Sequence, residues 1–283
     1  MNGYAGRTVT KAPDWHGLVA WDLLFNNLTT GLFLVAAMGE LAAPEVFASV
    51  ARIAYPIALV FLIADLILLV LDLGDPWRFH HMLRVFKPGS PMSLGTWCLT
   101  VYSLPLTVAT ALSLFPEADS TFDWLRKTTL VLGLLPALGS AAYKGVLLST
   151  TAQPGWKDAR WMGGYLTNSA LLLGCAVLLT LAVIMGQASA AATLRTALAL
   201  LLVFNGLTLA LLAANLRPAL SRLFNRGQLW RVGLLTIIGG FLAPLSLVLA
   251  GDRPVFILAA VILVLSGSTL VRFVIVKIPH GSP

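Results

Sequence analysis

The chain has 283 residues, of which 58% are hydrophobic and 11% charged, and its formal net charge is +7. The mean hydropathy of +0.86 excludes an ordinary soluble domain and indicates an all-α, polytopic integral membrane protein. The basic residues lie between the apolar runs, as they do in the loops of membrane proteins, and this accounts for the positive net charge. We therefore predict no nucleic-acid partner.

The apolar runs predict eight membrane-spanning helices. They cover residues 15–38, 53–73, 94–115, 129–149, 165–185, 194–215, 229–250 and 255–276. The first run has full spanning length and lacks a small-residue cleavage site, so we predict no removable signal peptide. An even number of spans places both termini on one side, and that side carries most of the basic residues. The charge bias predicts that both termini are cytoplasmic.

The opposite side of the predicted topology has fewer basic residues. Among them are Arg52 and Arg126, and loop acids such as Glu40 and Glu45 offset their charge. We expect these four residues to lie in loops outside the hydrocarbon core.

The first predicted helix carries polar side chains inside its apolar run. Asp22 and Asn26 are four residues apart, and Thr29 and Thr30 continue the same helical face. A carboxylate within the bilayer costs roughly 2.5 to 3.5 kcal/mol on insertion scales, so Asp22 marks a candidate functional site. Asn and Thr also form hydrogen bonds between membrane helices, and this structural alternative stays open.

The second predicted helix contains another buried carboxylate, Asp65. A structural hydrogen bond to a neighbouring span is one explanation. The other is a proton relay toward the opposite face of the membrane, with Asn26 as a second member.

The connection after the second helix is rich in aromatic and basic residues. Gly74 and Pro76 end the helix, and the residues that follow form an amphipathic segment at the membrane interface. The candidates for docking a soluble partner are Trp77, Arg78, His80 and Arg84, together with Trp156 of a later loop on the same side. A loop that anchors the chain to lipid is the alternative.

The fourth predicted helix ends with Tyr143 and Lys144, at about the depth of Asp22. Tyr143 and Lys144 can donate hydrogen bonds and Asp22 can exchange a proton, so these three residues are candidates for a binding site that takes up or releases protons. An ion pair between Asp22 and Lys144 is the alternative, and Lys144 could also extend to the headgroups. We expect Arg272, near the end of the last helix, to extend to the headgroups as well.

The two halves of the chain show a possible repeat with an offset of 143 residues. Val60-Phe61 and Val203-Phe204 begin similar apolar runs at this offset, and Trp15 and Trp161, 146 residues apart, open the first and fifth helices. The matches predict two four-helix bundles, 1–150 and 151–283, with the candidate site of Asp22, Tyr143 and Lys144 in the first.

The histidines and cysteines limit the redox chemistry of this chain. A haem between helices normally needs two histidines deep in apolar spans, but the four histidines lie at helix ends or in loops. Cys98 and Cys175 are too few for an iron-sulfur cluster and fit no metal motif. We therefore predict no metal, haem or iron-sulfur cluster in the chain.

Three segments resemble the NrfD-like family, the membrane subunits of polysulfide-reductase-type complexes. The first is Trp15-His16 with the polar and small-residue stretch that follows. The second is the loop after the second helix, with its Asp-Leu-Gly and Ser-Pro-Met-Ser sequences. The third is the end of the fourth helix, including Tyr143, Gly145 and Trp156.

The resemblance implies an eight-helix subunit of a respiratory oxidoreductase in a bacterial or archaeal cytoplasmic membrane. Such a subunit exchanges electrons and protons between menaquinone or ubiquinone and a ferredoxin-like iron-sulfur subunit, which serves a molybdenum-cofactor catalytic subunit. The family's pocket lies near the start of the first helix and the end of the fourth, and its positions fall here on Asp22 and Tyr143. A quinone needs a hydrogen-bond donor at each carbonyl and a titratable group connected to water, and Asp22, Tyr143 and Lys144 could supply both. We therefore predict a quinone site in the first bundle, 1–150, formed by His16, Asp22, Tyr143 and Lys144. This chain departs from the family at Asp22, where a histidine is frequent, and at Asn27, where a glycine is frequent.

Two functions of other classes remain open. A secondary transporter could have a polar midplane site around Asp22, Asn26 and Asp65, but no proline inside a predicted helix has a counterpart inside another predicted helix at the offset of 143. The second is a purely structural membrane anchor, in which replacing Asp22 by Asn would leave the turnover of the complex unchanged.

Overall fold

The computed structural model describes residues 15, 17–115, 121–153 and 155–281, and all eight predicted spans are helical in it. We number the helices α1 (Gly17–Ala42), α2 (Pro44–Leu71), α3 (Pro91–Leu114), α4 (Asp123–Ser149), α5 (Met162–Ile184), α6 (Ala188–Leu223), α7 (Arg226–Ala250) and α8 (Pro254–Lys277). The prediction of an all-α protein with eight transmembrane helices is confirmed.

The largest difference in helix length concerns α6, which continues to Leu223 and not only to residue 215. The extension contains Arg217, Pro218 and Arg222, which end the apolar run without ending the helix. Hydropathy marks where a helix leaves the hydrocarbon core, whereas backbone hydrogen bonds mark where it ends, so the two limits differ.

Helix α7 is irregular in the middle of its span. It begins with a capping box, in which the Asn225 side chain accepts from the backbone N–H of Gln228 at 2.9 Å and the Gln228 side chain accepts from that of Asn225. A π-helical stretch then covers Leu235–Leu242. Gly240 in this stretch lies against Gly267 of α8, where an added Cβ would come within 2.5 Å of the Gly240 Cα. The two glycines allow α7 and α8 to approach closely.

Helix α1 lies at the centre of the protein and packs on α2, α4, α5 and α8. It is also the most buried span, whereas α6 and α7 bury the smallest share of their residues. Because α1 packs on helices of both halves, it joins them along its length. The division into domains 1–150 and 151–283 stays a prediction.

The two halves approach each other closely between α1 and α5. A Cβ at Gly31 would come within 1.8 Å of the Ala170 carbonyl oxygen, and one at Gly174 within 2.0 Å of the Gly31 carbonyl carbon. Only glycine permits this backbone contact. The two glycines stand at the same offset of 143 residues as the sequence matches.

Candidate functional site

The polar centre of the protein is a buried ionic cluster on three helices. The Lys144 ammonium of α4 lies 2.7 Å from a carboxylate oxygen of Asp22 in α1 and 2.8 Å from one of Asp65 in α2. It also donates to the backbone carbonyl of Asp22 at 3.2 Å. All three side chains are nearly excluded from solvent. The ion pair that the sequence left open therefore exists, and Asp65 is its third member.

The cluster continues inward through Asn26, one turn along α1 from Asp22. The Asn26 side-chain amide donates to Asp65 at 3.1 Å and to the Ser140 hydroxyl of α4 at 3.2 Å. Its carbonyl oxygen is buried and has no hydrogen-bond partner among the described residues. The two predicted relay residues, Asp65 and Asn26, are thus in direct contact.

A small cleft opens beside the cluster, near the ends of the helices that carry it. Asp22, Lys144 and Tyr143 line it, and Trp15 and Met92 lie at its other walls. Its volume of about 70 Å³ holds about two water molecules, far less than the roughly 300 to 1,000 Å³ of a typical ligand pocket. The structure thus brings three of the four predicted quinone ligands together, while His16 lies outside the described residues.

Tyr143 owes its position to a glycine of the neighbouring helix. A Cβ at Gly95 of α3 would come within 1.8 Å of the Tyr143 ring, so only glycine leaves room for this ring. The Lys144 ammonium lies 5.8 Å from the centre of the same ring. Such a contact is a cation–π interaction, which helps to keep the lysine and the phenol on the same wall of the cleft.

A second ionic cluster lies at the opposite end of α1 and was not predicted from the sequence. Arg126 of α4 binds the Glu40 carboxylate through two nitrogens, at 2.5 and 3.2 Å, and the Tyr55 hydroxyl donates to the same carboxylate at 2.6 Å. Both charged side chains are buried. The prediction that Glu40, Glu45, Arg52 and Arg126 lie in loops is wrong, because the helices α1, α2 and α4 extend over all four residues. Glu40 and Arg126 also pair with each other inside the bundle.

The polar residues of α1 form a column between the two clusters. The hydroxyls of Thr29 and Tyr102 lie 2.9 Å apart, and each donates to a backbone carbonyl. Beyond them the Phe33 ring packs against Tyr102 and Tyr55, with ring centres 5.3 and 5.9 Å away. The column is therefore interrupted by one aromatic layer before it reaches the second cluster.

Arg272 of α8 is a buried cation, and the expectation that it extends to the headgroups is wrong. Its side chain is fully excluded from solvent. It donates to Asn27 at 2.5 Å, to the backbone carbonyl of Leu23 at 3.2 Å, and to Ser169 of α5 at 3.2 Å, and it also contacts Ser268. These hydrogen bonds join α8 to α1 and α5 and hold the guanidinium inside.

The segment after α2 presents the predicted docking residues. The 3-10 helix Pro76–Leu83 has no buried residue, and Trp77 is 86% exposed. Arg78, His80 and Arg84 are exposed as well. Asp72 and Met92, on either side of this segment, line the cleft beside Asp22. The exposed surface and the cleft are therefore adjacent.

Trp156 differs from the other predicted docking residues because its ring is completely buried. Its indole N–H donates to the backbone carbonyl of Ile275 at 2.8 Å, and its ring lies 5.5 Å from that of Trp15. The side chain therefore offers no surface to a partner. It fixes the connection between α4 and α5 against the end of α8.

The described part of the chain contains no group of three or more His, Cys, Asp or Glu side chains that could hold a metal ion. The polar residues of the cleft are one phenol, one ammonium and carboxylates, which bind by hydrogen bonds and exchange protons. These groups can form hydrogen bonds with the carbonyl or hydroxyl groups of a ligand.

Comparison with known proteins identifies the family. The family model described as polysulfide reductase, of the NrfD type, matches residues 1–282. A curated relative, a selenate reductase subunit from Mesobacillus selenatarsenatis, is 28% identical over 96 residues, which cover 34% of this chain. That match spans only 22% of the relative's length. The chain therefore belongs to the NrfD-type polysulfide reductase family.

Proposed function

We propose that this chain is the quinone-reactive membrane subunit of a respiratory oxidoreductase. In this proposal menaquinone or ubiquinone binds at the cleft beside Asp22 and Tyr143. One observation carries the proposal: the Lys144 ammonium bridges two carboxylates at the wall of a cleft that a phenol also lines.

The charge of the cluster suits proton exchange. With all three groups ionised, two carboxylates and one ammonium carry one net negative charge, which a single proton neutralises. A quinone that accepts two electrons also takes up two protons to become a quinol. Asp22 borders the cleft and can pass a proton to a quinone oxygen, while Asp65 lies behind it and can share the proton through Lys144.

The size of the cleft sets a condition for binding. A volume of about 70 Å³ admits water but not a quinone ring, so the apolar side chains at its walls must move when the ring enters. Two of these side chains are flexible: Met92 is unbranched and Leu147 branches only at Cγ, so both can change rotamer. Tyr143 would then donate a hydrogen bond to one quinone oxygen. Lys144 already donates to three oxygens of Asp22 and Asp65, so it would bind the other quinone oxygen in place of the Asp22 backbone carbonyl.

The proposed function requires partner subunits that carry electrons, because the sequence has no haem or iron-sulfur motif. The chain would take electrons from, or give them to, a ferredoxin-like iron-sulfur subunit. That subunit would in turn serve a molybdenum-cofactor catalytic subunit. The exposed Trp77 and Arg78 beside the cleft offer the docking surface, because electrons cross only short distances between the partner and the quinone.

The predicted relay would reach inward from Asp65 through Asn26 toward Thr29 and Tyr102. It would end at the Phe33 ring, since an aromatic ring neither donates nor accepts a proton there. The relay is then a local proton reservoir for the quinone site.

Asp22→Asn is expected to lower quinone-linked electron transfer by about a factor of ten or more, because the remaining amide cannot exchange a proton. Tyr143→Phe should lower it by up to about tenfold through the loss of one hydrogen bond. The measurement is turnover with a soluble quinone analogue in the purified complex, beside turnover of the soluble subunits with an artificial dye.

Asp252→Asn is the matched control, since Asp252 is exposed at the opposite end of the bundle. Asp22→Asn leaves Lys144 paired with Asp65, so the protein should still fold, and its thermal unfolding checks this. If both site variants keep the full quinone rate, these residues do not form the site.

The charge bias predicts that both termini and the soluble partner are cytoplasmic. A reporter enzyme that works only in the cytoplasm, fused after residue 283, should be active, while the same reporter inserted between α3 and α4 should be inactive. The reverse pattern, or a partner with an export signal, would place the site on the outer side.

A further inference from the structure

A deep apolar groove lies between α6, α7 and α8, on the side of the membrane where α6 ends and α7 begins. Its volume is about 580 Å³, within the range of sites that hold whole ligands. Small residues of α6, Gly206, Ala210 and Ala213, leave the room for it. From Gly206 to Arg217 the groove follows α6 for about 17 Å, roughly half of the hydrocarbon thickness.

The outer end of the groove is strongly basic. Arg217 lines it, and Arg222, Arg226 and Arg231 follow on the connection to α7 and its first turns, all exposed. Residues 188–251 contain no aspartate or glutamate. Within the described residues, none of these four arginines forms an ion pair with a carboxylate. Trp230, 75% exposed, stands among them as an interfacial aromatic side chain.

We propose that this groove is a specific binding site for an anionic phospholipid. One acyl chain would occupy the apolar groove, and the phosphate would bind Arg217 and the neighbouring guanidinium groups. Charge complementarity favours this ligand: an uncharged quinone would leave the arginines unpaired, and a zwitterionic lipid would bring a second positive charge to them. The site lies apart from the Asp22 cleft and does not depend on the quinone proposal.

The test uses the full chain, with the subunits that co-purify, in a lipid-depleted detergent solution. Native mass spectrometry compares the binding of phosphatidylglycerol and phosphatidylcholine with identical acyl chains. Phosphatidylglycerol should bind more tightly, and Arg217→Gln should weaken its binding about fivefold, which corresponds to about 1 kcal/mol for one basic residue at the surface. Ala213→Phe fills the groove and should weaken the binding of both lipids.

Arg195→Gln and Ala192→Phe make the same changes at the other end of α6 and should leave phosphatidylglycerol binding unchanged. Equal binding of the two lipids, or unchanged binding in Arg217→Gln, would overturn the proposal. Displacement of phosphatidylglycerol by a short-chain quinone analogue would also overturn it and would assign the groove to the quinone. Because Arg217 and Ala213 are both exposed, neither variant removes a core contact that folding needs.

Discussion

Replacing Lys144 by methionine is expected to destabilise the folded protein by about 3 to 5 kcal/mol. Methionine is unbranched and only one atom shorter than lysine, but it lacks the ammonium that bridges Asp22 and Asp65. Two buried carboxylates would then face each other without a counter-charge, and one of them must be protonated or exposed to water. Thermal unfolding of the detergent-solubilised protein should show a large loss of stability.

Lys127→Met is the matched control for this prediction. Lys127 pairs with Asp123 at 2.7 Å, the same distance as Lys144 from Asp22, and both lysines belong to α4. The Lys127 side chain is 61% exposed, whereas that of Lys144 is 5% exposed. An exposed pair contributes little, so this variant should change stability by at most about 0.5 kcal/mol. Equal effects of the two variants would show that burial does not strengthen the Lys144 interactions.

Gly174→Ala is expected to separate α1 from α5. The new Cβ would lie 2.0 Å from the carbonyl carbon of Gly31, and backbone atoms cannot turn away as a side chain does. Overpacking with side chains typically costs about 1 to 3 kcal/mol, and contact with a backbone should reach the upper end, about 3 kcal/mol or more. The yield of folded protein and its unfolding temperature measure the effect.

Gly233→Ala provides the comparison, because a Cβ at Gly233 of α7 meets nothing within 4 Å. Alanine also favours the helix by about 1 kcal/mol relative to glycine, so this variant should be as stable as the wild type or more stable. If Gly174→Ala is equally well tolerated, the two halves do not approach at this point as closely as described.

The features that depend on composition and helical period could be predicted from the sequence. Eight apolar runs of spanning length predicted the eight helices, because a single apolar segment can satisfy its backbone hydrogen bonds within itself only as a helix. The spacing of Asp22, Asn26 and Thr29 predicted that they lie on one face of α1 and that this face points into the bundle, since residues three and four apart share a helical face. A carboxylate in that face implied a buried partner, and Lys144 was one of the candidates.

Only the tertiary structure decided the partners of the other charged side chains. Glu40, Arg126 and Arg272 lie near helix ends, where a long side chain can reach water or turn into the bundle. Trp156 was equally ambiguous, because an aromatic residue in a short loop suits either a docking surface or an interior contact. Hydropathy measures the average free-energy cost of burying a residue. A hydrogen-bonding partner from another helix removes that cost. The position of such a partner depends on how the helices pack, which the sequence alone does not give.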